Sequence, residues 1–243
     1  MDLEETGKLA LITGAAKRIG KALTEHLASA GWDIAIHCNR SELKAVTLAD
    51  KLSDLYPAQR FQVFRADLSN PSETEKLFPR VIDQMGRPFL LINNASVFEP
   101  SSIQETTSLF LKRQFQVNFN APFLLIHDFA LFCGKGLVIN LVDTRITGNK
   151  PDFAAYTLAK KALWELTKMA AVEMGPDIRV NAIAPGLTLP PEDRDEAYLC
   201  RMAAQIPMKR SGGLQPLLVS LDFIIKNDYL TGQLLFCDGG QNL

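Results

Sequence analysis

Seven short, continuously apolar runs alternate with longer amphipathic segments along this chain of 243 residues. Strands that are apolar on both faces are typical of a parallel sheet covered by helices on both sides. The alternation predicts the α/β class: a single-domain, Rossmann-type doubly wound parallel sheet of seven strands with helices on both faces. The predicted strands are Leu9 to Thr13, Trp32 to His37, Phe61 to Ala66, Phe89 to Asn93, Gly136 to Val142, Ile178 to Ala184 and Leu234 to Cys237.

The sequence contains no internal repeat, low-complexity tract or linker, so we expect one domain over residues 1–243. Its least regular segment is rich in proline and surrounds a short charged helix predicted over Glu192 to Gln205. Irregular segments of this length in a compact domain are often functional. We expect residues 187–210 to form a substrate lid over the carboxyl ends of the strands.

Composition and charge argue against several kinds of partner. The chain is 47% apolar and 22% charged, with a net charge of −1, and it has no basic tract and no apolar run long enough to span a membrane. We therefore expect neither a nucleic-acid nor a membrane partner. The acidic start has no features of an export signal, which predicts a cytoplasmic location. Four widely spaced cysteines indicate free thiols rather than disulfides or a metal site: Cys38, Cys133, Cys200 and Cys237.

A glycine-containing segment follows the first predicted strand and leads into a helix. Gly14 permits a tight turn, Gly20 allows close contact between helix and strand, and the helix start offers N–H groups to a phosphate. Arg18 lies between these two glycines and can simply be a solvated surface arginine at the helix start. The segment predicts a nucleotide-binding loop.

The end of the second predicted strand indicates which nucleotide is bound. An NAD enzyme usually has an acidic residue here, whereas this chain has Asn39, Arg40 and Ser41, with Lys17 on the glycine loop. Cationic and hydroxyl donors suit the 2′-phosphate of NADPH. The alternative is a basic helix start without a ligand, although Ser41 alone would suffice to cap that helix. The pattern favours NADPH.

Tyr156 and Lys160 lie four residues apart in a predicted helix, so both side chains lie on one face. A neighbouring ammonium group favours the phenolate and should lower the pKa of the tyrosine toward neutrality. This pair, the glycine loop, Asn118 and the Asn93–Ser96 segment together resemble the short-chain dehydrogenase/reductase family from Lys8 to Gly240. The resemblance implies a catalytic set of Asn118, Asp143, Tyr156 and Lys160, in which Asn118 anchors a water to the lysine.

The resemblance also implies the residues that contact the cofactor. Asp67 and Leu68 would hold the adenine, and Asn94, Ala95 and Ser96 would approach the nicotinamide. The turn after the sixth strand would close over the carboxamide. The complete expected cofactor set is Gly14, Lys17, Arg18, Ile19, Gly20, Asn39, Arg40, Ser41, Asp67, Leu68, Asn94, Ala95, Ser96, Tyr156, Lys160, Pro185, Gly186 and Thr188.

Asp143 stands where most of that family has a serine. A serine hydroxyl can donate to a ketone oxygen, whereas an ionised carboxylate would repel the negative charge that develops there. A carboxylate beside the phenol can instead relay a proton to a ring nitrogen, which the reduction of a C=N bond requires. The alternative is an aspartate that only caps the loop after the fifth strand, in an orientation different from the one catalysis needs.

These departures from the usual pattern resemble the pteridine reductases. The resemblance implies a substrate site for a planar pterin, with Phe98 stacking on the ring: Arg18, Ser96, Phe98, Asp143, Phe153 and Tyr156. The predicted function is an NADPH-dependent reductase that converts a dihydropterin or dihydrofolate to the tetrahydro form. Two alternatives stay open: a carbonyl or 3-oxoacyl-thioester reductase, and a non-catalytic NADP-binding sensor.

The family resemblance implies a homotetramer as well. The predicted helix from Phe153 to Met174 is apolar on more than one face. Such a helix can pack against both its own sheet and another subunit.

Overall fold

The computed structural model describes residues 7–190 and 196–243. Its strands are β1 (Leu9–Ile12), β2 (Asp33–Cys38), β3 (Phe61–Arg65), β4 (Leu90–Asn93), β5 (Gly136–Leu141), β6 (Ile178–Pro185) and β7 (Leu234–Cys237). Its α-helices are α1 (Arg18–Ser29), α2 (Glu42–Leu55), α3 (Pro71–Met85), α4 (Ser108–Phe115), α5 (Ala121–Cys133), α6 (Ala154–Met174), α7 (Glu196–Ala203) and α8 (Gln215–Lys226). A π-helical turn, Gln116–Asn120, joins α4 to α5, and a 3₁₀ turn, Thr144–Thr147, follows β5.

Within the described residues the strands form one parallel, seven-stranded sheet in the order β3-β2-β1-β4-β5-β6-β7. In register, Leu11 of β1 pairs with Ala35 of β2 on one side and with Leu91 of β4 on the other. The chain order reverses between β1 and β4, and ligands of such sheets bind beyond the carboxyl ends of the strands at this point. The predicted fold class is confirmed.

Both faces of the sheet are buried, which explains why the strands are continuously apolar. Ile12, Ile36 and Ile92 pack on one face with residues of α1 and α8. Leu11, Leu91 and Val138 pack on the other face with residues of α3, α5 and α6. Successive side chains of a strand point to opposite faces, so the central strands β1, β4 and β5 are apolar at nearly every position.

Local signals fix several boundaries. Helix α3 begins at Pro71, and the Asn70 side chain accepts a hydrogen bond of 3.1 Å from the Ser72 N–H. The short charged helix is observed as α7, Glu196–Ala203, and the start of its predicted range lies outside the described residues. The predicted helix from Phe153 to Met174 is observed as α6.

Two further observations concern the cysteines and the possibility of a membrane-spanning helix. Cys38, Cys133, Cys200 and Cys237 are all free thiols. Within residues 7–190 and 196–243, no helix is both long and apolar enough to cross a bilayer.

Candidate active site

A cleft of about 700 Å³ opens beyond the carboxyl ends of β1 to β4. It brings together the glycine loop, the end of β2 and the segments after β3 and β4. The expected site residues that line it are Gly14, Lys17, Arg18, Ile19, Gly20, Asn39, Arg40, Ser41, Asp67, Leu68, Asn94, Ala95, Ser96, Phe98 and Tyr156. Pro185, Gly186 and Thr188 lie at the end of β6, and none of the three lines this cleft. The Gly186 N–H donates to the Cys237 carbonyl at 3.0 Å.

The glycine loop has the geometry that its sequence predicts. Gly14 has a φ of 63°, and a Cβ on Gly20 would stand 2.0 Å from the Gly14 carbonyl oxygen. Arg18 also has a positive φ, 52°, which is uncommon for a residue other than glycine. Its guanidinium donates to the Pro190 carbonyl at 2.8 Å, which joins the loop to the expected lid. Lys17 is the N-cap residue of α1 and its side chain makes no capping hydrogen bond, so the first N–H groups of α1 can meet a phosphate.

His37 supports this loop, a role that the sequence predictions missed. Its Nδ1 accepts a hydrogen bond of 3.1 Å from the Gly14 N–H, and its Nε2 therefore carries the proton and donates to the Ala66 carbonyl at 3.1 Å. Burial lowers the pKa of His37 to about 4; the Ala66 carbonyl and Asp67 oppose this shift and Arg80 adds to it. The sequence signal from which this role could have been predicted was a histidine at the end of an otherwise apolar strand.

We expect His37 to make the protein acid-labile. The unfolded chain binds a proton here below about pH 6.5, whereas the folded chain does not until about pH 4. Stability is therefore lost as the pH falls through this window, by roughly 3 kcal/mol from this group. Urea unfolding at pH 7 and pH 4.5 should show a smaller loss for His37→Asn than for the wild type. The exposed His127→Asn is the control, and equal losses in all three proteins would contradict the prediction.

The end of β2 presents polar groups to the cleft. Ser41 occupies the N-cap of α2, but its side chain makes no capping hydrogen bond. Asp67 lies close by. Burial alone would raise its pKa, but hydrogen bonds from Ser69 and Asn39 and the charge of Arg40 outweigh burial and lower the pKa. Asp67 is therefore ionised and helps to hold Arg40 and Asn39 at this edge.

Tyr156 and Asp143 are in direct contact. The phenol of Tyr156 donates to Asp143 Oδ2 at 2.8 Å, while Asp143 Oδ1 accepts from the Arg145 N–H at 2.8 Å and so caps the 3₁₀ turn. Capping and contact with the phenol were expected to exclude each other. That expectation is wrong, because the two carboxylate oxygens serve the two partners separately.

The electrostatics of Tyr156 correct a second expectation. Burial, the charge of Asp143 and the hydrogen bond to it raise the pKa of Tyr156 well above its usual value, rather than lowering it toward neutrality. Lys160 is 2% exposed and donates to the Leu141 carbonyl at 2.7 Å. Burial lowers the pKa of Lys160 to about 8, with Asp143 opposing the shift. Tyr156 therefore holds its proton at neutral pH, as an acid must.

Asn118 lies in the π-helical turn rather than in a regular α-helix, and it is fully buried. Its Oδ1 accepts from the Ser96 hydroxyl at 2.8 Å and from the Val97 N–H at 3.1 Å. Its Nδ2 donates to the Val97 carbonyl at 3.0 Å and to Gln114 Oε1 at 3.1 Å. Asn118 thus fixes the segment after β4, and π-helical turns often occur at functional sites.

An aromatic surface lies beside the phenol. The rings of Phe98 and Phe153 are stacked, with centroids 4.2 Å apart and an interplanar angle of 5°. Tyr156 meets Phe98 edge-on at 4.8 Å. Phe98 is 50% exposed and lines the cleft. The structure therefore brings Phe98, Phe153, Tyr156 and Asp143 together.

A family profile described as short chain dehydrogenase matches residues 8–197. The chain belongs to the short-chain dehydrogenase family. It is similar to pteridine reductase 1 of Leishmania tarentolae, with 32% identity over 100% of this chain and 99% of that protein. As a member of this family it is an oxidoreductase.

Two solved structures with similar sequences have this fold. The alternative dihydrofolate reductase 1 (FolM) of Brucella canis, complexed with NADP, superposes with a TM-score of 0.89 and 37% identity, covering 96% of this chain and 93% of that one. A blue fluorescent protein from a metagenomic library, in complex with NADPH, has a TM-score of 0.89 and 27% identity, with 99% of both chains covered.

In the described part of the chain, no group of three or more histidine, cysteine or acidic side chains could hold a metal.

Proposed function

We propose that this short-chain dehydrogenase is an NADPH-dependent reductase that converts a dihydropterin or dihydrofolate to the tetrahydro form. The hydrogen bond from Tyr156 to Asp143 beside the exposed ring of Phe98 carries this proposal. A phenol that holds its proton next to a flat apolar surface suits the delivery of a proton to a ring nitrogen. The likeness to a pteridine reductase and to alternative dihydrofolate reductases supports the same substrate class.

In this proposal each catalytic side chain has a separate task. Bound NADPH supplies the hydride. Tyr156 gives its proton to the substrate nitrogen, and Asp143, which is only partly buried, returns a proton from solvent to the phenol. Lys160 stabilises the phenolate while it lacks a proton, and Asn118 holds Ser96 in place.

The cleft fits NADPH by two features of this chain. Gly20 has no room for a Cβ, which would stand 2.0 Å from the Gly14 carbonyl oxygen, so a glycine here lets the start of α1 pack against the loop and offer its first N–H groups to a phosphate. The hydroxyl of Ser41, unused as a cap, lies with Arg40 and Asn39 where the ribose of the adenosine would end. We propose that these three residues bind the 2′-phosphate, and that the remaining cofactor residues act as the family resemblance implies.

Replacing Arg40 with Met should weaken NADPH binding and spare NADH. A hydrogen bond to a charged group contributes about 1.5–3 kcal/mol, so we expect Kd for NADPH to rise roughly 10- to 100-fold. Fluorescence titration with both cofactors measures the two constants. Lys44→Met, which removes an exposed cation further along α2, is the control. An equal loss of affinity for NADH, or tighter binding of NADH by the wild type, would contradict the assignment.

The substrate assay is oxidation of NADPH with dihydrobiopterin, dihydromonapterin and dihydrofolate beside a panel of ketones and 3-oxoacyl thioesters. We expect turnover with at least one of the three pteridines. Turnover of ketones alone would favour a carbonyl reductase, which the Asp143 carboxylate beside the phenol argues against. Tight binding of NADPH without any turnover would favour a sensor, for which the buried Lys160 and the paired phenol have no use.

We also propose a homotetramer of single-domain subunits. Helix α6 exposes Leu158, Met169 and Val172, and the edge formed by α8 and β7 exposes Phe223 and Phe236. Two separate apolar faces allow two kinds of two-fold contact, which together close a tetramer. Light scattering should give four times the subunit mass of 26.9 kDa, and a monomer would contradict the assembly.

Two further proposals concern the lid and the location of the protein. We propose that residues 187–210 act as the lid, which the hydrogen bond from Arg18 to Pro190 supports. The four free cysteines support a cytoplasmic location.

A further inference from the structure

Arg145 lies at the rim of the aromatic surface that the proposed pterin site uses. It follows Asp143 in the 3₁₀ turn, and the carbon of its guanidinium lies 4.3 Å from the centre of the Phe153 ring and 5.7 Å from that of Phe98. Phe98 in turn meets Tyr156 edge-on. One continuous aromatic surface therefore extends from the proton donor to a cation.

The charge of Arg145 has a weak partner. Its Nη1 donates to Asp152 Oδ1 at 3.0 Å, and the Asp152 side chain is 52% exposed. Ion pairs that are open to water contribute only about 0.2–1 kcal/mol, so another carboxylate can replace Asp152. The other side-chain N–H groups of Arg145 make no hydrogen bond with any described residue.

A guanidinium can lie over an aromatic ring and still offer its in-plane N–H groups as a fork to a carboxylate. Phe153 covers one face of the Phe98 ring, so a flat ring that stacks on Phe98 uses the other face, and Arg145 lies on the Phe153 side of the stack. A side chain long enough to pass the edge of Phe98 can bring a carboxylate to the guanidinium, whereas a neutral side chain gains nothing from it.

We propose that Arg145 determines specificity by binding a carboxylate on the side chain of the pterin ring, so that the preferred substrates are carboxylate-bearing dihydropteridines of the dihydrofolate class. This inference rests on the proposed pterin reduction and narrows its substrate. Asp152 occupies the guanidinium in the absence of such a substrate and competes with it.

The test compares 7,8-dihydrofolate with its neutral glutamate diamide, which differs only in the carboxylates. We expect the ratio of kcat/KM for the acid to that for the diamide to exceed one in the wild type. Arg145→Met should lower this ratio about three- to tenfold, mainly through KM, and Arg145→Lys should restore part of it. Asp152→Asn should raise the ratio, because it removes the competing carboxylate.

Lys161→Met is the matched control, because it removes a nearby cation that donates a hydrogen bond to Asn149 at 3.0 Å and lies away from the two rings. The ratio of kcat/KM for the acid to that for the diamide should be the same in this variant as in the wild type. An unchanged ratio in Arg145→Met, or a lowered ratio in Asp152→Asn, would overturn the inference. If Arg145→Met fails to fold, the ratio measured for Asp152→Asn decides alone: a raised ratio supports the inference and a lowered ratio overturns it. Dihydrobiopterin reports on the proposed function separately, because its turnover does not depend on a carboxylate.

Discussion

Tyr156→Phe should reduce kcat for pterin reduction by about 10²–10⁴-fold, the range that general acid catalysis contributes. The phenol is the group that donates to Asp143 at 2.8 Å, and its raised pKa keeps it protonated at neutral pH. Removing the hydroxyl removes the proton donor but leaves the ring that packs against Phe98. We therefore expect Kd for NADPH to change far less than kcat.

Stopped-flow single turnover measures the chemical step without product release. Tyr229→Phe is the matched control, because that tyrosine is 98% exposed and the same atom is removed. The Tyr156 variant should also unfold at a slightly lower temperature, because the partly buried Asp143 loses a donor. If Tyr156→Phe retained more than roughly a tenth of the wild-type rate, Tyr156 would not be the acid.

Asp143→Asn should reduce pterin turnover by about two orders of magnitude, because asparagine can keep the cap but cannot relay a proton. It should also change the pH profile. Asp143 raises the pKa of Lys160 against the effect of burial, and the balance stands at about 8. Without the carboxylate this pKa falls, so the alkaline loss of activity should move to lower pH. Profiles of kcat/KM for the wild type and the variant measure the shift.

The variant Asp143→Ser distinguishes the hypothesis of a pterin reductase from that of a carbonyl reductase. A serine hydroxyl can donate to a ketone oxygen, so this variant should lose pterin turnover and gain ketone turnover. A wild type that reduces ketones, and whose ketone turnover falls in the serine variant, would contradict the role given to Asp143.

The sheet could be predicted from the sequence because a strand that is buried on both faces is recognisable as a continuous apolar run. Every residue of β1, Leu9–Ile12, is buried, and no alternation interrupts the run. The cap at Asn70 and the turn at Gly14 are local too, since each depends on a few neighbouring residues. Such features need no knowledge of distant contacts.

The properties of the site that the sequence missed depend on distant contacts. The pKa of Tyr156 was assigned from its spacing to Lys160, but the fold buries the phenol and places Asp143 against it. The support of Gly14 by His37 and the position of Arg145 over Phe153 arise the same way. Periodicity and spacing carry no information about which charge faces a buried group.

We propose that a hydride passes from NADPH to a carbon of a pteridine C=N bond. We would offer the protein NADPH deuterated at both C4 positions, with dihydrobiopterin, dihydrofolate, an aromatic ketone and a 3-oxoacyl thioester in one mixture, and analyse the products by mass spectrometry. We expect a tetrahydropteridine that carries one deuterium on carbon. Unlabelled pteridines together with a deuterated alcohol would contradict it.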